Sequence, residues 1–136
     1  MTRITKPPLI RKKELVDTAE RLFLEKGYDR TTVNDIVNEI NVAKGTFYHY
    51  FKSKTEILGA VVEKNIAVLE EEFRSIISRD DMGSPEKLNE MINTSFRWYK
   101  GKEELLVFIH QESNAVPHYN FEEMTYARLA PPVVEV

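Results

Sequence analysis

Three apolar stripes at helical spacing, separated by one glycine and one asparagine, constrain what the N-terminal part of this chain can become. Leu15, Val16, Ala19, Leu22 and Phe23 recur at i, i+1, i+4, i+7 and i+8, the spacing of one face of a helix from about Ile10 to Lys26. Gly27 then accepts the left-handed conformation that ends a helix. Thr32 opens a second helix as its cap, with Asp35 three residues on as a weaker form of the capping-box acid. The buried face of that helix is Val33, Ile36, Val37 and Ile40. Asn41 is suited to a sharp turn because asparagine tolerates positive φ, and Val42 reads as a buried turn residue. The third helix, about Ala43 to Tyr50, is again short. Phe47 and Phe51 share a face and can plug into the first two helices, which leaves Lys44, Thr46, Tyr48 and His49 on other faces. No segment alternates apolar and polar residues for long, so the expected class is all-α.

Beyond this, Ser53-Lys54-Thr55-Glu56 is a full S-x-x-E capping box. It opens a long helix carrying Ile57, Leu58, Val61, Val62, Ile66, Leu69, Phe73, Ile76 and Ile77, to about Ser78. Arg79 to Gly83 reads as a loop. Ser84-Pro85-Glu86 restarts a helix, with serine as cap, proline at the first position and an acid favoured by the helix dipole. Leu88, Met91, Ile92, Ser95, Phe96 and Tyr99 are expected on one side of it. A break near Gly101, a helix from Glu103 to about Ser113, a turn around Pro117 and a helical pattern from Phe121 to Leu129 complete the chain.

Composition narrows the chemistry. The absence of cysteine excludes a disulfide scaffold and cysteine-based metal or redox sites. His110, Glu112 and His118 lack the i, i+4 pairing of a helical zinc site, and no nucleophile elbow, phosphate loop or carboxylate pair stands out. No metal, no cofactor and no catalysis are therefore expected. No apolar run approaches a membrane span and the first residues lack the apolar stretch of a signal peptide, so a soluble cytoplasmic protein with no membrane partner is expected. The net charge of −3 conceals an asymmetry. Residues 1–54 hold 11 Lys and Arg against 7 Asp and Glu, whereas residues 55–136 hold 8 against 15. One part is suited to meet an anion and the other is not.

Two short helices joined by a tight turn and packed on a longer one form a helix-turn-helix, whose second short helix enters a major groove. Lys44 offers a charge, Gly45 lets backbone approach closely, and Thr46, Tyr48 and His49 offer donors. Helix N-termini at Thr32 and Ser53 attract phosphate, and Lys54 adds a charge at the latter.

The run Thr31-Thr32-Val33-x-x-Ile36, followed by Asn41-Val42-Ala43-Lys44-Gly45-Thr46-Phe47-Tyr48-His49-Tyr50-Phe51-Lys52-Ser53-Lys54, closely resembles the DNA-binding domain of TetR-family repressors. So does Ala19-Glu20-x-Leu22-Phe23-x-x-x-Gly27-Tyr28 upstream, and the likeness covers roughly residues 9–62. The resemblance implies an all-α chain: an N-terminal three-helix helix-turn-helix DNA-binding domain (1–54), then a truncated helical ligand-binding and dimerisation domain (55–136). It implies a homodimeric one-component regulator that binds a palindromic operator in double-stranded DNA. A small-molecule effector would release it by shifting the long fourth helix. Carried over position by position, Thr31 and Thr32 contact phosphate, and Lys44, Gly45 and Thr46 sit at the groove. Tyr48, His49 and Tyr50 hold the backbone, and Lys54 holds a phosphate. Asn41 departs from the family's usual glycine but accepts the same conformation. The alternative function is a helical protein-interaction module that keeps the fold without sequence-specific DNA binding.

Met91, Phe96, Trp98, Tyr99, Phe108, Tyr119, Phe121 and Met124 form an aromatic and methionine-rich group. Helix packing accounts for most of them individually. The functional alternative is an effector pocket built from Met91, Phe96, Tyr99, Phe108, Tyr119 and Phe121, with polar groups such as Tyr99, His110 or Gln111 orienting an unidentified ligand. Against the family layout, 136 residues stop about where a seventh helix should continue. The chain is therefore expected to be a fragment lacking the dimerisation helices, the alternative being a shortened protein with impaired dimerisation.

Overall fold

The computed structural model describes residues 6–112 and 127–129, and every regular element among them is helical. In order these are α1 (Pro8–Lys26), α2 (Val33–Glu39), α3 (Lys44–Tyr50), α4 (Lys54–Ile77), α5 (Ser84–Tyr99) and α6 (Glu103–Glu112). The chain divides into two compact units, Met1–Val61 and Val62–Val136. The first unit ends inside α4, later than residue 54, because Ile57, Leu58 and Val61 are buried and belong with it.

In the first unit, α2 packs against both α1 and α3. The core is the set of stripes that the spacing predicts: Leu15, Val16, Ala19, Leu22 and Phe23 from α1, Ile36 and Val37 from α2, and Phe47 with Phe51. The α1 helix ends at Gly27, whose φ of 86° suits only glycine without strain and whose N–H donates to Phe23 O at 3.0 Å. The α2–α3 turn centres on Asn41 at φ 54°. Asn41 N–H closes back to Asn38 O and Val42 N–H to Val37 O, the paired bonds of a left-handed helix end. Val42 is half-buried rather than buried, because it sits just past that turn.

In the second unit, Leu69, Phe73 and Ile76 of α4 form a core with Met91 of α5, and Ile77, Trp98 and Leu129 pack on it. Arg128 joins the residues around it to α4 by bonding both Glu63 and Glu70, and holds Glu70 below the usual carboxylate range. Lys87 Nζ donates to Ile77 O at 2.6 Å, satisfying a carbonyl at the end of α4. Two expectations for α5 are corrected. Its cap is Gly83, not Ser84: the helix already includes Ser84, and a Cβ at 83 would come within 2.7 Å of Glu86 Oε2. Its apolar residues also divide between two faces. Met91 and Thr94 are buried and Trp98 is half-buried, whereas Leu88, Ile92, Phe96 and Tyr99 are exposed. Of the four exposed ones, Phe96 is the most open at 72%.

Candidate nucleic-acid interface

The anchor of α3 is aromatic. Phe47 is fully buried and Phe51 nearly so, their ring centroids 5.9 Å apart, which fixes the helix by one face. In its first turn Lys44 and Gly45 are both exposed, with Thr46 half-buried beside them. A Cβ built at Gly45 meets no atom within 4 Å, so nothing in this chain's own packing requires a glycine there. Tyr48 is half exposed and stands edge-on to Phe47 at 5.3 Å. His49 is exposed and stands edge-on to the half-buried Tyr50 at 4.8 Å. No side chain caps α3 at Ala43, so the charged and hydroxyl groups of its first turn are not engaged in closing the helix.

The two threonines before α2 have different fates. Thr31 is fully buried. Its hydroxyl donates to Gly27 O at 2.8 Å, with Leu22 O 3.2 Å away as a second acceptor. The expected phosphate role of its side chain is therefore corrected: the hydroxyl is enclosed and committed to the fold. Thr32 is exposed and is the cap. Its Oγ1 accepts from Asp35 N–H at 3.0 Å, and Asp35 Oδ2 accepts from Thr32 N–H at 2.9 Å, a complete capping box rather than a weak one. Lys26 donates to the same carboxylate at 2.8 Å. That bond, then the Thr32 backbone bond, brings the Asp35 carboxyl down to about 2. The start of α2 thus carries an ionised carboxylate, so the amides of Thr32 and Asp35 are not available to an outside anion.

At the start of α4, Ser53 Oγ accepts from Glu56 N–H at 3.1 Å. The Glu56 carboxylate reaches one residue further back than in the usual box, to Lys52 N–H at 3.1 Å. Lys54 is half-buried and oriented: Nζ donates to Tyr28 O at 2.9 Å and lies 4.2 Å from the Tyr28 ring centroid. Tyr28 is in turn held by a 3.1 Å hydrogen bond to Thr55 and by its contact with Phe23. Tyr28 is not among the candidate residues read from the sequence, yet it positions one of them. The available signal was an aromatic residue directly after the helix-ending Gly27. The structure therefore brings Lys44, Gly45 and Thr46 together on one exposed turn and holds Lys54 at the edge of the same unit.

A protein-family model described as bacterial regulatory proteins, tetR family, matches residues 15–61, up to the end of the first unit. Over these residues the chain is similar to the TetR family. The HTH-type transcriptional regulator YerO of Bacillus subtilis is 31% identical over 79% of this chain. The HTH-type transcriptional repressor KstR2 of Mycolicibacterium smegmatis is 29% identical over 85% of it. The chain spans only 37% and 58% of those two relatives. A crystal structure of a TetR/AcrR-family transcriptional regulator from Thermobifida fusca superposes with a TM-score of 0.69 at 24% identity, over 93% of this chain and 66% of that one. All three are named as transcriptional regulators and none as an enzyme. No helix among the described residues is long and apolar enough to cross a membrane, and they contain no cluster of metal-binding side chains.

Of the effector-pocket candidates, the structure describes the side chains of Met91, Phe96 and Tyr99. Met91 packs in the core between α4 and α5, while Phe96 and Tyr99 are exposed. The side chains of Phe108, His110 and Gln111, and all of Tyr119 and Phe121, lie outside the described residues.

Proposed function

We propose that this chain is the DNA-binding and adjoining regulatory part of a one-component transcriptional repressor. The observation that carries the reading is α3: buried through Phe47 and Phe51, it offers an exposed Lys44, an open Gly45 and a half-buried Thr46 in its first turn. In this reading α3 lies in the major groove of an operator, with Lys44 and Thr46 nearest the base edges. Tyr48, His49 and Tyr50 meet the sugar–phosphate backbone, as do the hydroxyl of Thr32 and the ammonium of Lys54. Thr31 contributes by fixing where Thr32 stands. The protein acts as a homodimer on a palindromic site, and a small molecule bound by the second unit relieves repression. It works in the cytoplasm, where the DNA is.

The test is a fluorescence-anisotropy titration of the promoter region beside its own gene. Binding should weaken steeply with added salt, because phosphate contacts release counterions. Lys44→Ala and Thr46→Ala should each lower discrimination between sequences by about 1–3 kcal/mol per lost base contact. Lys54→Ala should weaken all sequences alike. Salt-independent binding that survives the combined Lys44, Tyr48 and Lys54 alanine changes would refute the reading.

A further inference from the structure

Apart from Lys54, which is held by Tyr28, the described cations of the first unit fall into two sets. Lys6 and Arg11 pair with Glu14, Lys13 with Asp17, Arg21 with Glu25 and Glu39, and Lys26 with Asp35. Lys12, Arg30, Lys44 and Lys52 are all exposed, and none of them pairs with a carboxylate among the described residues. Lys44 belongs to the reading helix. The other three have no DNA contact assigned to them above.

Lys12 is the most informative. It precedes Leu15, Val16 and Ala19 by three, four and seven residues, so it continues the apolar stripe of α1 at a position where that stripe calls for an apolar side chain. Its ammonium stands 5.7 Å from the centroid of the Phe51 ring. Phe51 closes α3, and Lys52 follows it directly. Lys12, through its contact with Phe51, and Lys52 therefore both stand at the junction between α3 and α4. Arg30 lies in the turn before α2, which is tied to that junction by the Lys54–Tyr28 and Tyr28–Thr55 hydrogen bonds.

We infer that Lys12 and Lys52 clamp the phosphate backbone of duplex DNA beside the stretch that α3 enters, with Arg30 holding a phosphate at the start of α2. The inference rests on the proposed DNA-binding role and extends its footprint beyond the helix-turn-helix. An internally paired cation must give up its carboxylate to take a phosphate. An unpaired one exchanges only a condensed counterion, and that release drives binding. The division between paired and unpaired cations thus separates those that brace the fold from those that meet the duplex.

The experiment titrates the full chain against a short DNA duplex of arbitrary sequence, since counterion release also governs non-specific binding. Affinity is measured between about 50 and 200 mM salt, with thermal melts as a check that each variant folds. Lys12→Gln, Lys52→Gln and Arg30→Gln should each flatten the slope of log affinity on log salt by about 0.9, so the loss across that range shrinks by about 3.5-fold per change. Lys44→Gln should flatten it similarly. Lys13→Gln and Arg21→Gln should alter it by less than half as much. If Lys44→Gln flattens the slope and the three rim changes do not, or if the paired controls flatten it equally, the clamp is wrong and the DNA-binding reading stands. If the chain binds no duplex even at the lowest salt, both fall together.

Discussion

Replacing Thr31 by valine separates two roles that a motif cannot distinguish. The side chain is fully buried, and its hydroxyl has one hydrogen to give, to Gly27 O at 2.8 Å in preference to Leu22 O at 3.2 Å. Valine fills the same volume, so no cavity opens and the cost is that of the hydrogen bond alone. Losing a neutral hydrogen bond to this part-buried carbonyl costs about 0.5–1.5 kcal/mol. At about 4–8 °C per kcal/mol for a domain of this size, the melting midpoint should fall by at least about 2 °C. Far-UV circular dichroism measures the melt. Anisotropy on duplex DNA, well below the midpoint, measures binding by the fraction that remains folded, which should stay within about twofold of the wild type because less than about 0.4 kcal/mol of contact changes. A midpoint unmoved within about 1 °C, combined with a tenfold loss of binding, would refute the reasoning and return Thr31 to the phosphate.

Thr32→Ala should destabilise the first unit by about 1 kcal/mol through loss of the cap, and should also weaken DNA binding, which Thr31→Val does not. The Asp35 carboxyl, held down at about 2 against an ordinary 3.8, stabilises the fold fully above about pH 4 and loses that contribution as pH falls through about 2. Urea melts of the wild type and Asp35→Asn should accordingly converge at the acid end; a gap that stays constant from neutral pH to pH 2 would contradict the assignment. Asn41→Ala should cost about 1–2 kcal/mol because alanine resists the positive φ, whereas Asn41→Gly should be tolerated, as equilibrium denaturation would reveal. On α5, Met91→Ala should cost about 2–5 kcal/mol, while Phe96→Ser should change stability by less than about 0.5 kcal/mol. Equal losses for the two would overturn the division of that helix into a packed and an exposed face.

Local signals carried much of the first unit. Gly27, Thr32 and Asn41 act through backbone bonds that span a few residues, so their roles follow from residue type and spacing, and the structure places them as expected. Phe47 and Phe51 were equally legible, because two aromatics at i and i+4 must share a face. Thr31 was not. Its burial depends on carbonyls left at the end of a different helix, and adjacent threonines look alike until that geometry exists. The same limit applies to α5, where a stripe of apolar residues is wider than the side that meets α4. Its cap was misread by one position because Ser84 is an excellent cap type, yet Glu86 crowds the site where a capping side chain would stand. At the candidate interface, Lys44 and Lys54 stand out only through the motif around them, and Tyr28, which orients Lys54 from far along the chain, follows only from tertiary structure.

The chain has six tyrosines but only one tryptophan, Trp98, and it lies in the second unit. Its indole Nε1 is buried with no hydrogen-bond partner among the described residues, and Lys102 holds an ammonium 4.9 Å from the ring centroid. Indole emission responds to both features, the nearby charge and the state of the N–H. The two halves of the molecule are therefore optically distinct. Light absorbed at the red edge of the protein band reports on residues 62–136 alone, while Tyr28, Tyr48 and Tyr50 contribute only at shorter wavelengths. A change in Trp98 emission on adding duplex DNA would then be a direct recording of one unit sensing what the other has bound.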